Sequence, residues 1–412
     1  MKILHIALSD GGGAGMGMMN LHYALLQQGV DSRVLVANKT TDDATVQVAK
    51  PNQYLWPAIP IIRFLEKVAR RFGICFNRYD RIHHDIYKVR KKHFVPFSSP
   101  VTPYDLSVHP LVKEADVINL HYVSDFVDVE SFFAKVTKPI VWTLRDENPG
   151  LGGFHYRTTK QCYGRYFAPI EEAFLAIKRK AITGNKNIRL VSLSKGMRSF
   201  CAEVDFLQSS PNVVIYNPIS PDTFMPYSRS EARKALGLSE QDVLLLFISC
   251  SLGERRKRLA ETIEALSLTV HKHIKLLCVG RMDFETDSPQ VVLLGSIADP
   301  QKLSALYAAA NAFVSPSVQE SFGKTIVEAL YCGTPVVSTP VGIAAEIVND
   351  TNGALCGEGT PLEIAQALDK VLDTSYDPVG IRKQMVSLFS PVKVANQYIA
   401  LYQTCMSDEQ MS

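Results

Sequence analysis

Two carboxylates bracket a phosphate-like turn in the stretch "ESFGKTIVEALYCGTP" (320–335). Glu320 and Glu328 are separated by seven residues, with Gly323-Lys324-Thr325 between them. The Gly-Lys-Thr is a decoy. A P-loop needs a glycine five residues before Gly323, where this chain has Val318, so ATP or GTP hydrolysis is not expected. The glutamates carry more. "NAFVSPSVQE" reads as a strand that leaves its sheet at Pro316 and runs into a loop bearing Glu320. "GKTIVEALYCG" reads as a helix stopped by Gly333, with Pro335 beyond it. Glu320 is therefore expected at the carboxyl end of a strand, where open α/β sheets bind ligands. Glu328 is expected about one turn inside the helix. The N–H groups near Phe322, Gly323 and Lys324 would lie at the helix N-terminus, which favours phosphate through its dipole and free donors. Hydroxyls donate and carboxylates accept. Anion donors flanked by two acceptors thus match ribose, diphosphate and sugar in one ligand, a sugar nucleotide. Two isolated glutamates would more simply be a helix-dipole partner and a surface residue.

A second stretch with phosphate-like character is "SDGGGAGMGMMN" (9–20). It follows an apolar strand and opens a helix, as a dinucleotide fingerprint would. The G-x-G-x-x-G spacing fails in every register: the third glycine would fall at Met16, Met18 or Asn20. What remains is a flexible strand-to-helix turn whose N–H groups, around Gly12 and Gly13, can approach an anion or ligand closely.

These candidates need a scaffold, and the apolar pattern supplies one. Short apolar runs at 2–8, 32–37, 116–121, 139–144 and 188–194 recur at 242–249, 274–280, 291–295, 311–316 and 334–339. Such runs read as strands buried on both faces, hence parallel sheet. Segments 19–29, 259–272, 300–310 and 360–372 suit crossover helices. The expectation is α/β: two doubly wound Rossmann-like domains, 1–215 and 216–388. The hinge is placed in the proline-rich "YNPISPDTFMP" (216–226). The remaining 389–412 carries an apolar helical stripe of Val392, Val394, Tyr398 and Leu401.

Composition narrows the class. The chain has 412 residues, enough for two cores, and a formal net charge of +3 that makes no whole-chain case for nucleic acid. Its N-terminus lacks the pattern of a signal peptide, and no apolar run is long enough to span a bilayer. Eight scattered cysteines suggest neither a zinc cluster nor a disulfide framework, so reduced thiols and a cytoplasmic setting are expected. Residues 61–94 stand apart, with ten Lys or Arg against three acids and an apolar stripe of Ile61, Phe64, Leu65, Val68 and Phe72. A basic amphipathic helix of this kind can lie on an anionic membrane surface, here the inner face of the cell membrane, or can pack on the domain with a solvated basic face.

The segment "PSVQESFGKTIVEALYCGTPVVSTPVGIAAEIV" (316–348) resembles the donor-site segment of retaining GT-B glycosyltransferases of the family 4 type. Glu320, Phe322, Gly323, Glu328, Ala329, Gly333, Pro335 and Val336 match that pattern. Shorter matches extend over most of the chain. Residues 115–156 further resemble the subgroup that builds colanic-acid-like and other surface polysaccharides. The resemblance implies GT-B architecture, with two Rossmann-like domains facing across a cleft and the C-terminal helix crossing back to the first domain. It implies a retaining, hexosyltransferase-type enzyme that moves sugar from a nucleotide diphosphate sugar to a glycan or lipid-linked acceptor. No cofactor and no metal are implied, with Lys and Arg in the metal's place; there is no Asp-x-Asp motif.

Roles follow by position. Glu328 would hold the ribose and Glu320 the donor-sugar hydroxyls, with the backbone of Phe322, Gly323 and Lys324 on sugar and diphosphate. Lys257 stands where the family has its diphosphate lysine. The family's accompanying arginine would fall at Ser251, so Arg258, Arg255 or Arg256 is expected to supply the second cation. Gly12 and Gly13 would face the diphosphate or the acceptor. One departure stands out: the subgroup reads Thr-Leu-His-Asp where this chain has Thr143-Leu144-Arg145-Asp146. Arginine cannot serve as a base but can stabilise a leaving phosphate. His121 is a candidate cleft-lining group or, equally, a satisfied core histidine. Two other readings stay open: a sugar-nucleotide 2-epimerase of the same architecture, and a non-catalytic carbohydrate-binding or scaffold protein.

Overall fold

The computed structural model describes residues 1–51, 68, 78–93, 95–225 and 228–411. Half of the basic segment 61–94, including the stripe positions Ile61, Phe64, Leu65 and Phe72, lies outside the described residues, as do Pro226 and Tyr227.

The chain forms two compact units. One comprises Met1–Leu193, Met197–Ile215 and Ala395–Ser412; the other comprises Ser194–Gly196 and Tyr216–Val394. Each is built on one parallel sheet. In the first unit β1 (Lys2–Ser9), β2 (Asp31–Asn38), β3 (Val46–Val48), β4 (Val117–Leu120), β5 (Ile140–Leu144), β6 (Ile188–Ser192) and β7 (Asn212–Val214) lie in the order β3-β2-β1-β4-β5-β6-β7. In the second, β8 (Val243–Ser251), β9 (Ile274–Arg281), β10 (Val291–Gly295), β11 (Ala312–Ser315), β12 (Val336–Ser338) and β13 (Gly353–Leu355) lie in the order β10-β9-β8-β11-β12-β13. The central strands are the apolar runs of the sequence. Leu244 to Phe247 of β8 are each at most 1% exposed. Burial of such side chains stabilises by roughly 1.5–3 kcal/mol apiece.

Both sheets reverse their winding once, between β1 and β4 and between β8 and β11. Crevices outside the carboxyl ends of the strands at such a switch point are where doubly wound sheets take ligands. The loops that leave these four strands therefore decide what each unit can bind.

Several local expectations need correction. Residues 9–20 are not a loose turn: the helix Gly12–Gln27 begins almost at once after β1. Its first turns pack on the strand end so tightly that a Cβ at Gly15 would lie 2.5 Å from the Ser9 carbonyl oxygen. The strands β3, β7 and β13 have no counterpart among the apolar runs. Each has three residues and lies at a sheet edge, so none needs a run buried on both faces. Edge strand β10 alternates between part-buried and exposed residues. A 26-residue helix, Arg157–Ile182, carries Pro169 in its interior and was hidden by that proline and Gly164. In the C-terminal helix Pro391–Met411, Val392 is 51% exposed. The buried stripe is Val394, Tyr398, Tyr402 and Cys405, spaced one turn apart.

Candidate donor-binding site

In the second unit, the loops after β8 and β11 lie side by side at the switch point. The loop after β8 passes through a 3₁₀ turn, Arg255–Lys257, into the helix Leu259–Leu268. The loop after β11 carries Glu320 into the helix Lys324–Tyr331. The Val318 amide donates to the Arg256 carbonyl at 2.8 Å, and the Arg256 guanidinium donates to the Gln319 carbonyl, so the loops are zipped together.

Glu320 is the focus of this join. Lys257 Nζ lies 2.5 Å and Arg256 Nη1 3.4 Å from Glu320 Oε1. Burial pushes the Glu320 carboxyl up, but the two cations, together with the hydrogen bond from Lys257, outweigh it and hold it at about 2. The carboxylate is thus ionised at any physiological pH. Of the three candidate arginines, Arg256 is the one beside Glu320. Arg258 adopts a left-handed backbone (φ +59°) as it caps the next helix, and its guanidinium turns to the Glu358 carbonyl.

The backbone of this loop is held from behind. The Ile343 amide donates to the Phe322 carbonyl at 2.7 Å. Gly342 makes that approach feasible: a Cβ there would lie 2.6 Å from the Phe322 oxygen and 2.9 Å from Glu320 Cβ, and its φ is +54°. Phe322 is buried, and Gly323, with φ +92°, begins the helix without a side-chain cap. Helix first-turn N–H groups have no partner within their own helix, so this end is an anion-favouring terminus of the expected kind.

Glu328 is not a surface residue. It is 3% exposed, accepts from the Tyr307 hydroxyl at 2.9 Å through Oε2, and pairs with Lys324 Nζ at 2.9 Å through Oε1. The structure therefore places Lys257 and Glu320 in direct contact, and Lys324 and Glu328 likewise. Tyr307 and Gly342 were missed by sequence reasoning. Tyr307 looks like one more apolar position of the helix Pro300–Ala309, and only its hydroxyl distinguishes it.

The first unit offers a different set. His121 follows β4 and Arg145 follows β5, and both are buried. Arg145 Nη2 donates to His121 Nδ1 at 3.0 Å, and His121 Nε2 lies 2.8 Å from His5 Nδ1. Arginine can only donate, so His121 Nδ1 must be bare and Nε2 must carry the proton, which it gives to His5. Burial, then the charge of Arg145, lowers the His121 pKa well below the ordinary range; burial does the same to His5, helped by His22. Both rings stay neutral. Burial lowers Arg145 to about 10, with Tyr398 and Tyr402 opposing, so it keeps its charge at neutral pH. His121 is thus a buried, doubly engaged histidine. Gly12 and Gly13 form the uncapped start of their helix, where an added Cβ would meet nothing within 4 Å.

The loop beyond Arg145 is clamped by polar groups. Asp146 accepts from His155 Nδ1 at 2.6 Å, and His155 Nε2 lies 2.9 Å from Ser98 Oγ. Glu171 accepts from the Gly152 and Gly153 amides, and the buried Lys178 donates to the carbonyls of Asn148 and Leu151. Burial brings Lys178 down to about 7.

Outside both sets, the helix Arg78–His93 buries Ile86 and exposes Arg81, Lys88, Arg90 and Lys92 together with Tyr87. Its end docks through His93, stacked on Tyr166 with ring centroids 4.0 Å apart. Among the described residues no helix is long and apolar enough to cross a membrane, and no cluster of three or more His, Cys, Asp or Glu is arranged to hold a metal ion.

Comparison with known proteins bears on these observations. Residues 243–374, the heart of the second unit, match the family of glycosyl transferases group 1. The chain is 29% identical over 191 residues to the D-inositol 3-phosphate glycosyltransferase of Thermobifida fusca, covering 41% of this chain and 44% of that protein. It is 27% identical over 172 residues to the capsular polysaccharide biosynthesis glycosyltransferase CapM of Staphylococcus aureus, covering 37% and 44%. The aligned part of the chain spans about half the length of the curated relatives it matches. Among solved structures, HepE of Anabaena in complex with UDP-glucose superposes with a TM-score of 0.62 at 18% identity, covering 98% of this chain and all of that one. By fold the chain is therefore a GT-B protein of two Rossmann-like sheets, and its second unit carries the segment shared with glycosyl transferases group 1.

Proposed function

We propose that the protein is a retaining glycosyltransferase that moves a sugar from a nucleotide diphosphate sugar to a glycan or lipid-linked acceptor in surface polysaccharide synthesis. The observation that carries this reading is the Lys257–Glu320 contact at the switch point of the second sheet, followed in the chain by the buried Glu328 about one turn inside the next helix. Glu328 would accept from the ribose. Glu320 would accept from donor-sugar hydroxyls, and Lys257 and Arg256 would then face the diphosphate. As the bond from the anomeric carbon to the phosphate oxygen breaks, negative charge grows on the diphosphate, and two cations held in place stabilise it without reorganisation. The acceptor oxygen then bonds to the anomeric carbon, and its proton passes to the departing phosphate on the same face. Glu320 and Glu328 bind, so the paired-carboxylate chemistry of glycoside hydrolysis is not required. Further support comes from relatives: CapM is named for capsular polysaccharide biosynthesis, and HepE was solved with UDP-glucose.

The test is to screen sugar nucleotides by thermal shift and then assay the binders for release of nucleotide diphosphate with formation of a new glycoside. Binding raises the melting temperature because it stabilises only the native state. A sugar nucleotide isomerised without glycoside would point to a 2-epimerase. Arg145, in the position where the subgroup has histidine, favours one other reading, a GT-B protein that binds carbohydrate without turning it over. Binding of donor with no turnover on any acceptor would support it. The lipid-linked acceptor is in keeping with the exposed basic face of Arg78–His93. If reversing Arg81, Lys88, Arg90 and Lys92 to glutamate leaves co-sedimentation with phosphatidylserine vesicles unchanged, that face is not a membrane contact.

A further inference from the structure

The Glu328 carboxylate is already half occupied, and the pattern of occupation is informative. A carboxylate offers about four lone-pair sites, two on each oxygen. The Tyr307 hydroxyl takes one on Oε2 and Lys324 Nζ takes one on Oε1. One acceptor site is left on each oxygen. Two neighbouring acceptors fixed in one plane suit two neighbouring hydroxyl donors.

The two holders are unequal. Tyr307 is fully buried, packed edge-on against Phe224 and Phe313 with centroids 6.0 and 5.4 Å away. Its carbonyl is tied to Thr334 Oγ1 at 2.6 Å. The ring has nowhere to swing, so its hydroxyl is a fixed point from which Oε2 is set. Lys324 has a flexible stem and a side chain 23% exposed, and it sets Oε1 more softly.

We infer that Tyr307 and, to a smaller degree, Lys324 are positioning residues that turn Glu328 into a two-point acceptor for the 2′- and 3′-hydroxyls of a ribonucleotide, and so exclude 2′-deoxyribonucleotides. The inference rests on the reading that Glu328 holds the ribose. A deoxyribose fills one point only and leaves a buried charged oxygen short of a donor. An unmet acceptor of this kind weakens binding by about ten- to a hundredfold. A tyrosine placed only to satisfy its own hydroxyl would not affect this ratio.

The experiment measures binding of UDP, GDP and ADP, each against its 2′-deoxy counterpart, to the full chain and to Glu328→Gln, Tyr307→Phe and Lys324→Met. The wild type is expected to prefer at least one ribonucleotide about ten- to a hundredfold. Glu328→Gln should flatten that ratio, Tyr307→Phe should lower it severalfold, and Lys324→Met should lower it less. Lys324→Arg should restore it. If Glu328→Gln flattens the ratio while Tyr307→Phe and Lys324→Met keep it, the positioning role is overturned and the ribose role of Glu328 survives. If Glu328→Gln keeps the ratio, if the wild type does not discriminate, or if none of the three nucleotides binds, both are overturned. A loss of affinity in Lys324→Met that is equal for ribo and deoxy forms would assign its ammonium to the phosphates and count against its part in positioning.

Discussion

The two sheets share a winding order and a switch point, yet the groups at those points differ in kind. In the second unit the loops after β8 and β11 bring Lys257 and Arg256 against Glu320, and Lys324 against Glu328. In the first unit the ends of β4 and β5 carry His121 and Arg145, which form a buried relay with His5 of β1, and Thr143 and Asn119 are tied to Tyr398 and Tyr402 of the C-terminal helix. One is a set of opposite charges that a polar, anionic ligand could divide between its own parts. The other is a hydrogen-bonded core with almost every site filled from within. Equal topology sets where a ligand can dock, and the side chains on four loops set whether anything is left for it to hold.

That contrast can be broken by substitution. The largest effect is expected in the second unit: Lys257→Ala should lower turnover by about 10²–10³-fold, measured as release of nucleotide diphosphate, while leaving the fold intact. Unchanged turnover would sink the assignment of these charged groups to donor chemistry. Next comes the first unit. Arg145→Met leaves His121 Nδ1 buried without its donor, and stability should fall by about 1–3 kcal/mol in urea unfolding. Arg145→His tests the same residue from the other side: a gain in turnover of more than tenfold would mean that arginine restrains the site, and no change would confine it to structure.

The contrast can be sharpened further through pH. The Glu320 carboxyl is depressed to about 2, below its ordinary value near 4, so its contribution is full above about pH 4 and is lost as pH falls towards 2. The stability gap between wild type and Glu320→Gln should close over that interval. Lys178 gives a dependence of the same sign in a higher window. Its pKa is about 7 when folded and about 10 when unfolded, so the unfolded chain binds the extra proton between them. Stability should rise with pH from about 7 to about 10, and Lys178→Met should remove the rise. Identical pH profiles for wild type and Lys178→Met would show that the buried ammonium is not strained.

Glu320 and Glu328 were legible because spacing around a strand end and a helix start is a local property, whereas Lys257 was placed only by the family resemblance. The paired sheets were legible from local pattern too: central strands must be apolar on both faces. Three things were not. Edge strands β3, β7 and β13 are too short to leave a pattern. That Arg256 rather than Arg258 lies against Glu320 goes with a left-handed backbone at Arg258, which no residue type announces there. Tyr307 reaches Glu328 across 21 positions, a contact that only tertiary packing creates. In the C-terminal helix the apolar spacing was right in period but offset in phase, since Val392 lies on the outer side and Tyr402 within.

Gly342 gives the molecule a point of evolutionary rigidity. Gly13, a more conspicuous glycine, has open space around it, so drift there meets no steric barrier. At Gly342 any side chain would run into the backbone that presents Glu320 and Phe322. A lineage altering its donor preference could vary the residues that touch the ligand, but this silent position behind them would have to stay as it is.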